Sequence, residues 1–128
     1  MRKWFPIILA ALLLTACGRN KENDRQAVYR NISAEEAKQI MDSGATCVIL
    51  DVRTFEEYES GHIPGAVCFP LDDIESKAKV FIPEQDVLYL IYCRSGRRSK
   101  QAAEILVELG YTNILEFGGI MDWPFEVE

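Results

Sequence analysis

Apolar and polar residues alternate along the chain in blocks that predict strands and helices in turn. Residues 46–52 and 86–92 are apolar at nearly every position, which is typical of strands buried on both faces of a parallel sheet. A shorter strand is expected within 61–70, and a last one over 113–117. The pattern therefore predicts several short strands separated by helical segments.

Two of the helices have clear start and stop signals. Ser33 is placed to cap a helix in which apolar residues recur at spacings of three and four, with Glu36 completing a capping box and Gly44 ending the helix. A shorter helix begins at Thr54, again with a glutamate three residues later, and ends at Gly61.

Two further helices are predicted over 71–81 and 99–109. Strands that alternate with helices favour an α/β domain with a mostly parallel sheet flanked by helices. Ligands of such sheets bind beyond the carboxyl ends of the strands, and Cys93 lies at one of those ends. The segment that follows Cys93 is therefore the first candidate for a functional site.

The N-terminal part of the chain does not follow this pattern. Residues 1–16 have a basic start and an apolar run too short to span a bilayer comfortably, which is the layout of a secretory signal. The sequence "LTAC" at its end resembles the bacterial lipobox, which implies that Cys17 is lipidated and anchors the chain outside the cytoplasm, on a bacterial cell membrane. An ordinary cleaved signal or an N-terminal anchor helix are the alternatives. Residues 17–27 are polar and predict a flexible tether, so that the folded domain comprises 28–128.

Composition and charge narrow the class of protein. The 128 residues allow one domain with a single core, and 48% hydrophobic with 27% charged residues is typical of a globular protein. The formal net charge is −6, and it would become −8 if Arg2 and Lys3 were removed with the signal. An acidic domain argues against nucleic-acid binding.

Three of the four cysteines lie beyond the lipobox: Cys47, Cys68 and Cys93. An odd number outside the cytosol leaves at least one thiol that is free or paired with another chain. We expect Cys47 and Cys68 to be small buried hydrophobic residues of strands, with a disulfide between them as the alternative. The spacing offers no zinc site, because there is no CxxC motif and only one histidine.

The turn after Cys93 has the features of an anion-binding loop. Backbone N–H groups at a strand-to-helix turn have no partners within the helix, so they and the positive helix end form a cradle for an anion. Comparable surroundings lower the pKa of a cysteine from about 8.5 to about 3.5–7.5, which makes Cys93 a candidate nucleophile. A buried structural cysteine at a strand end is the alternative. The residues of the predicted cradle are Arg94, Ser95, Gly96, Arg97, Arg98 and Ser99.

Four stretches resemble those of single-domain rhodanese-like sulfurtransferases: "LDVR" (50–53), "EEYESGHIPGA" (56–66), "CRSGRRS" (93–99) and "GGIMDW" (118–123). The resemblance implies a monomeric three-layer α/β domain that uses no metal or organic cofactor. It also implies a mechanism in which Cys93 takes sulfur from thiosulfate or a related anionic donor. The resulting persulfide gives that sulfur to a thiophilic acceptor, such as cyanide or a thiol.

The resemblance also implies roles for the arginines. Arg98 matches the arginine that closes the active-site loop, Arg94 matches a position that faces the substrate in thiosulfate-using members, and Arg97 is expected to face solvent. Which of the three meets the substrate stays open. Asp51 is expected either to accept hydrogen bonds near the site or to form an ion pair at its strand end.

Three other residues of these stretches are assigned structural roles. Arg53 and Glu57 are expected to pair and brace the short helix. The only histidine, His62, is expected to bond to the backbone of its turn, and Trp123 is expected to be a packing anchor.

The alternatives for the Cys93 loop differ in chemistry. The spacing from Cys93 to Arg98 is C-x4-R, one residue shorter than the C-x5-R loop of phosphatases and arsenate reductases that share this architecture, and Tyr92 replaces the histidine typical of tyrosine phosphatases. A shorter loop favours a smaller central atom such as sulfur. A third possibility is a lipoprotein that relays persulfide or senses redox state without turnover.

Overall fold

The computed structural model describes residues 28–128, so the predicted signal (1–16), the tether (17–27) and the lipidation site Cys17 lie outside the described residues. The described part contains five strands, four α-helices and one short 3-10 turn. In chain order they are β1 (Arg30–Asn31), α1 (Ala34–Asp42), β2 (Cys47–Asp51), α2 (Phe55–Glu59), β3 (Val67–Cys68), α3 (Leu71–Phe81), β4 (Leu88–Cys93), α4 (Arg97–Glu108), β5 (Ile114–Gly119) and the turn Ile120–Asp122.

The strands form one sheet in the order β1-β5-β4-β2-β3, and all four neighbouring pairs are parallel. The α/β architecture with a parallel sheet, predicted from the alternation of strands and helices, is confirmed. β4 is the central strand, so Cys93 emerges from the middle of the carboxyl edge of the sheet. This is the place where ligands of open parallel sheets bind.

Side chains on the two faces of β4 belong to two different cores. Ile91 and Cys93 pack with the apolar faces of α3 and α4, whereas Leu90 and Tyr92 pack with α1 and Trp123. Because both faces are covered, the residues of the strand from Tyr89 onward are buried without alternation. The layers are therefore helices, sheet and helices, as in the predicted three-layer domain.

The helix caps follow the sequence signals closely. Thr54 and Glu57 form a complete capping box, with Glu57 N–H donating to the Thr54 hydroxyl and Thr54 N–H donating to the Glu57 carboxylate. In α1 the Ser33 hydroxyl accepts from Glu36 N–H, but the Glu36 carboxylate accepts from that hydroxyl, so only the serine half of the predicted box forms. α4 begins at Arg97, two residues before the predicted start.

Cys47 and Cys68 are free thiols, and both are half-buried, so the expectation of buried hydrophobic residues is only partly right. Strand register explains why they do not pair. Cys68 lies opposite Asp51, four residues along β2 from Cys47. At about 3.3 Å per residue the two cysteines are offset by about 13 Å along the strands, well beyond the Cα separation of a disulfide.

None of the helices between residues 28 and 128 is both long enough and apolar enough to cross a lipid bilayer.

Candidate active site

The sulfur of Cys93 lies inside the turn between β4 and α4. Gly96 N–H donates to Cys93 Sγ at 3.0 Å, and the Cys93 side chain is fully buried. Gly96 is the N-cap residue of α4 and has a φ of 103°, a left-handed conformation that glycine adopts without strain. This conformation turns the first N–H groups of the helix end toward the sulfur.

Opposing effects act on the acidity of the Cys93 thiol. Burial would raise the pKa of Cys93, but hydrogen bonds from the Ser99 hydroxyl and from the backbone N–H groups of Ser99, Gly96 and Ser95 outweigh it. The net result is a lowered pKa, so the surroundings favour the thiolate. The main-chain donors expected from the sequence are therefore directed at the sulfur.

The three arginines of the loop occupy different positions. Arg98 is half-buried and forms a bidentate ion pair with Glu57, with N···O distances of 2.6 and 2.9 Å. Arg94 and Arg97 are exposed. The ion pair with Glu57 raises the pKa of Arg98, and the charge of Cys93 adds a smaller contribution in the same direction.

The expected pair between Arg53 and Glu57 is wrong, because each of these residues has a different partner. Arg53 pairs with Asp51 at 2.7 Å, and its guanidinium also donates to the Gly61 carbonyl at 2.7 Å. Asp51 therefore forms an ion pair at its strand end, one of the two roles expected for it. Its carboxylate also accepts the Tyr92 hydroxyl at 2.6 Å, and burial together with this bond raises the pKa of Tyr92.

Sequence reasoning missed Glu116, which lies beneath the loop. The side chain is fully buried on β5, and its Oε1 accepts from the Ser99 hydroxyl at 2.7 Å and from Gly118 N–H at 2.8 Å. Ser99 Oγ is in turn 3.5 Å from Cys93 Sγ. The available signal was a single acidic residue inside a predicted apolar strand, because a strand covered on both faces has no solvent-facing position for a charge.

β5 runs directly against the backbone of the loop. A Cβ at Gly119 would lie 1.9 Å from the Arg94 carbonyl oxygen, so position 119 has no room for a side chain. The turn Ile120–Asp122, which follows β5, is also bonded to the loop, because Met121 N–H donates to the same carbonyl at 3.2 Å. The second glycine of "GGIMDW" therefore permits the close approach that holds the loop in place.

His62 and Trp123 make the backbone and packing contacts expected of residues with structural roles. His62 Nδ1 lies 3.0 Å from the Tyr58 carbonyl oxygen, and its ring stacks on that of Tyr58. Trp123 is buried in the core beneath α1 and packs against Phe117 and Phe125.

Comparison with known proteins identifies the family of this domain. The model of the rhodanese-like domain matches residues 33–124, most of the chain. The chain belongs to the rhodanese-like family. It is 38% identical over 112 residues to the putative sulfur carrier protein YrkF of Bacillus subtilis (strain 168), spanning 87% of this chain and 60% of that protein. It is also 38% identical over 73 residues to the thiosulfate sulfurtransferase PspE of Escherichia coli (strain K12), spanning 57% of this chain and 70% of that protein.

Solved rhodanese structures have the same fold. A rhodanese with anions from E. coli superposes with a TM-score of 0.59 at 34% identity, over 64% of this chain and 96% of that one. The human single-domain sulfurtransferase TSTD1 superposes with a TM-score of 0.67 at 27% identity, over 73% of this chain and 93% of that one. The relatives of this rhodanese-like domain are thus sulfurtransferases and a putative sulfur carrier.

The Arg98–Glu57 pair leads to a prediction about pH. The hydrogen bond from Arg98 is the main cause that lowers the pKa of Glu57 to about 2. Because the pKa in the folded state lies below the ordinary value of about 4.3, the pair stabilises the fold above that pH and ceases to do so as pH falls toward 2.

Glu57→Gln, which retains a capping side chain, should therefore lower the free energy of unfolding by about 1 kcal/mol at neutral pH and by progressively less in acid. Urea denaturation at several pH values measures this difference. Glu56→Gln, which removes the exposed carboxylate at the neighbouring position, is the control and should lower the free energy of unfolding less than Glu57→Gln at neutral pH. A loss in Glu57→Gln that is equally large in acid would contradict the assignment.

A second prediction concerns the Tyr92 hydroxyl, which donates to Asp51 and accepts from Ile63 N–H at 3.1 Å. Tyr92→Phe leaves that buried N–H without a partner, so the free energy of unfolding should fall by about 1–3 kcal/mol in chemical denaturation. Tyr58→Phe, which removes one bond from a half-buried hydroxyl to the Ala66 carbonyl, should cost less. Equal losses in the two variants would show that the hydrogen bonds of the Tyr92 hydroxyl contribute no more to the free energy of unfolding than the single bond of Tyr58.

Proposed function

We propose that the domain is a sulfurtransferase that moves sulfane sulfur from thiosulfate, or a related anionic donor, through a persulfide on Cys93 to cyanide or a thiol. The observation that carries the proposal is the short hydrogen bond from Gly96 N–H to Cys93 Sγ, with further main-chain donors directed at the same sulfur. The E. coli relative, named a thiosulfate sulfurtransferase, supports this choice of donor.

In the first half-reaction the Cys93 thiolate attacks the outer sulfur of thiosulfate. A new sulfur–sulfur bond forms to Cys93, the bond within the donor breaks, and sulfite departs with that electron pair. The outer sulfur of the persulfide is then the anionic atom, and loop N–H groups are suited to stabilise it as they stabilise the thiolate.

In the second half-reaction an acceptor attacks the outer sulfur. The bond from that sulfur to Cys93 breaks, and Cys93 takes the electron pair and leaves as a thiolate. A thiolate that is stabilised in the cradle is a good leaving group, because a low thiol pKa favours departure. Both half-reactions need only groups of one chain, so we propose that the domain acts as a monomer.

We propose that Arg94 and Arg97 receive the donor. Both are exposed residues of the segment that follows Cys93, whereas Arg98 is engaged by Glu57. On a chain of net charge −6, such a local positive patch focuses a small anion on the site. Arg98 would then act by its charge, and we expect its loss to weaken donor use less than the loss of an exposed arginine.

Persulfide relay without turnover is the second candidate function, since the Bacillus relative is named a putative sulfur carrier. In that case Cys93 would be loaded in the same way, but release would require a specific protein acceptor. Turnover with cyanide therefore separates the two functions. Phosphate or arsenate chemistry is disfavoured by the short C-x4-R loop.

The proposed function predicts that thiosulfate adds one sulfur atom to the peptide that contains Cys93, and that cyanide removes it, as measured by mass spectrometry. Cys93→Ser should abolish both the added mass and the turnover. Arg94→Ala and Arg97→Ala should raise the KM for thiosulfate roughly tenfold or more, the range of a lost hydrogen bond to a charged group. Lys100→Ala, one turn further along α4, is the control for loss of an exposed cation and should change KM little. Full turnover in Cys93→Ser would disprove the mechanism.

We also propose that the chain is a lipoprotein held on the outer side of a bacterial cell membrane. The support is the "LTAC" sequence before the acidic domain. Expressed from the full chain, the mature protein should partition into detergent, and mass spectrometry should find it to begin at Cys17 with a lipid attached. A mature Cys17 without the added mass of a lipid would contradict lipidation.

A further inference from the structure

Arg98 differs from the two other arginines of the Cys93 loop because its charge is compensated. Its Nη1 and Nη2 lie 2.6 and 2.9 Å from the two carboxylate oxygens of Glu57. Arg94 and Arg97 belong to no ion pair within residues 28–128. In that part of the chain the loop therefore has two uncompensated cations and a third that forms a neutral pair.

The Glu57 carboxylate is held in place by its own helix as well as by Arg98. Thr54 N–H donates to Glu57 Oε1 at 3.2 Å, and the Thr54 hydroxyl donates to the same oxygen at 3.1 Å. The hydrogen bond from Arg98 is the largest of the causes that lower the pKa of Glu57 to about 2, so the carboxylate is ionised at neutral pH. A full negative charge is therefore fixed against the guanidinium of Arg98.

Arg98 adjoins a residue that contacts the sulfur. It lies in the first turn of α4, one residue before Ser99, whose hydroxyl oxygen is 3.5 Å from Cys93 Sγ. After the hydrogen bond and the charge of Glu57, the charge of Cys93 is a further cause that raises the pKa of Arg98. The side chains of Arg98 and Glu57 are 30% and 29% exposed, so water and salt screen their charges only in part. The net charge of the pair therefore acts on an anion at Cys93.

We propose that Glu57 is a specificity-determining residue, which by neutralising Arg98 limits how strongly the site prefers donors of high negative charge. The proposal deepens the sulfurtransferase function and rests on it. Selection for an anionic donor is then left to Arg94 and Arg97. A donor with less charge than thiosulfate, such as the persulfide of a thiol, competes more evenly for Cys93 than it would against three uncompensated arginines. Glu57 acts through Arg98, so it is a positioning residue and not a catalytic one.

The two members of a neutral pair have opposite effects on an anion when one of them loses its charge. Glu57→Gln leaves the guanidinium uncompensated, and the added positive charge attracts an anionic donor. Arg98→Gln leaves the carboxylate uncompensated, and its negative charge repels the donor. The double variant removes both charges and restores the balance of the unsubstituted chain.

The alternative is that the pair only clamps the first turn of α4 to α2. A clamp is broken equally by either single substitution, and the double variant does not repair it. The alternative therefore predicts that sulfur transfer falls in all three variants. The proposal predicts a gain in Glu57→Gln, which a merely structural role does not produce.

The first test is steady-state sulfur transfer from thiosulfate to cyanide by the full chain and its variants. Glu57→Gln should raise kcat/KM for thiosulfate about threefold and Arg98→Gln should lower it about threefold, the size expected for one partly screened charge that acts on a dianion. The double variant should return to within about twofold of the unsubstituted chain. Glu56→Gln, which removes an exposed carboxylate from the same helix, is the control for net charge and should change kcat/KM little.

The second test measures the charge near Cys93 without sulfur transfer. Iodoacetate and iodoacetamide are similar in size and differ by one negative charge, so the ratio of their alkylation rates reports the local field and cancels changes in the amount of thiolate. Mass spectrometry of the peptide that contains Cys93 measures both rates. The ratio should rise about twofold in Glu57→Gln and fall about twofold in Arg98→Gln, since iodoacetate has a smaller charge than thiosulfate. Cys47, at the amino end of β2 and hence at the opposite edge of the sheet from Cys93, is the internal reference.

Arg98→Lys keeps the proposal testable if Glu57→Gln folds poorly. Lysine retains the positive charge but not the two parallel hydrogen bonds of the guanidinium. Its alkylation ratio should therefore stay close to that of the unsubstituted chain, whereas that of Arg98→Gln should fall. Equal ratios in Arg98→Lys and Arg98→Gln would contradict an effect of charge.

The outcomes separate this inference from the proposed function. A lower kcat/KM in Glu57→Gln, a double variant no better than Arg98→Gln, or an equal gain in Glu56→Gln would overturn the inference. An alkylation ratio that is the same in every variant, or no alkylation of Cys93 by either reagent, would also overturn it. If no protein transfers sulfur from thiosulfate, the proposed function fails, but the alkylation ratio still decides whether Glu57 neutralises Arg98.

Discussion

The hydrogen bond from Gly96 N–H to the sulfur of Cys93 is the contact on which the site depends. A sulfur anion at the end of a strand that is buried on both faces loses the solvation of water and needs donors from the protein. The main chain supplies them only if the turn is tight and the helix starts immediately. The left-handed conformation of Gly96 and the start of α4 at Arg97 meet both conditions.

Two ion pairs connect the segments that surround the Cys93 loop. Glu57 binds Arg98 from α2, which ties the first turn of α4 to a neighbouring segment. Asp51 and Arg53 form a separate buried pair at the end of β2, and Tyr92 joins it from the residue before Cys93. Positive charge is thereby kept near the sulfur while the cradle itself is built from backbone groups.

Apart from the two-residue strand β1, which was not predicted, the sequence predicted the elements well because their signals are local. The capping residues of α1 and α2 and the uniform burial of β4 are read from neighbouring positions. The partners of charged residues are not local: Arg98 and Glu57 are 41 residues apart, and Ser99 and Glu116 are 17 apart. Their pairing depends on strand order and register. This is why the Arg53–Glu57 prediction failed and why Glu116 was overlooked.

In the proposed sulfur-transfer cycle Cys93 acts both as nucleophile and as leaving group, and the opposing contributions to its acidity suit both roles. Lowering a thiol pKa improves departure but weakens the nucleophilicity of the thiolate, and the best attacking thiol has a pKa near the ambient pH. Burial raises the pKa of Cys93 while Ser99 and the loop N–H groups lower it. A deeper cradle with more donors would favour the thiolate further, which makes it a better leaving group but an intrinsically weaker nucleophile. The balance of burial against the hydrogen bonds of the loop therefore suits both halves of the proposed sulfur-transfer cycle.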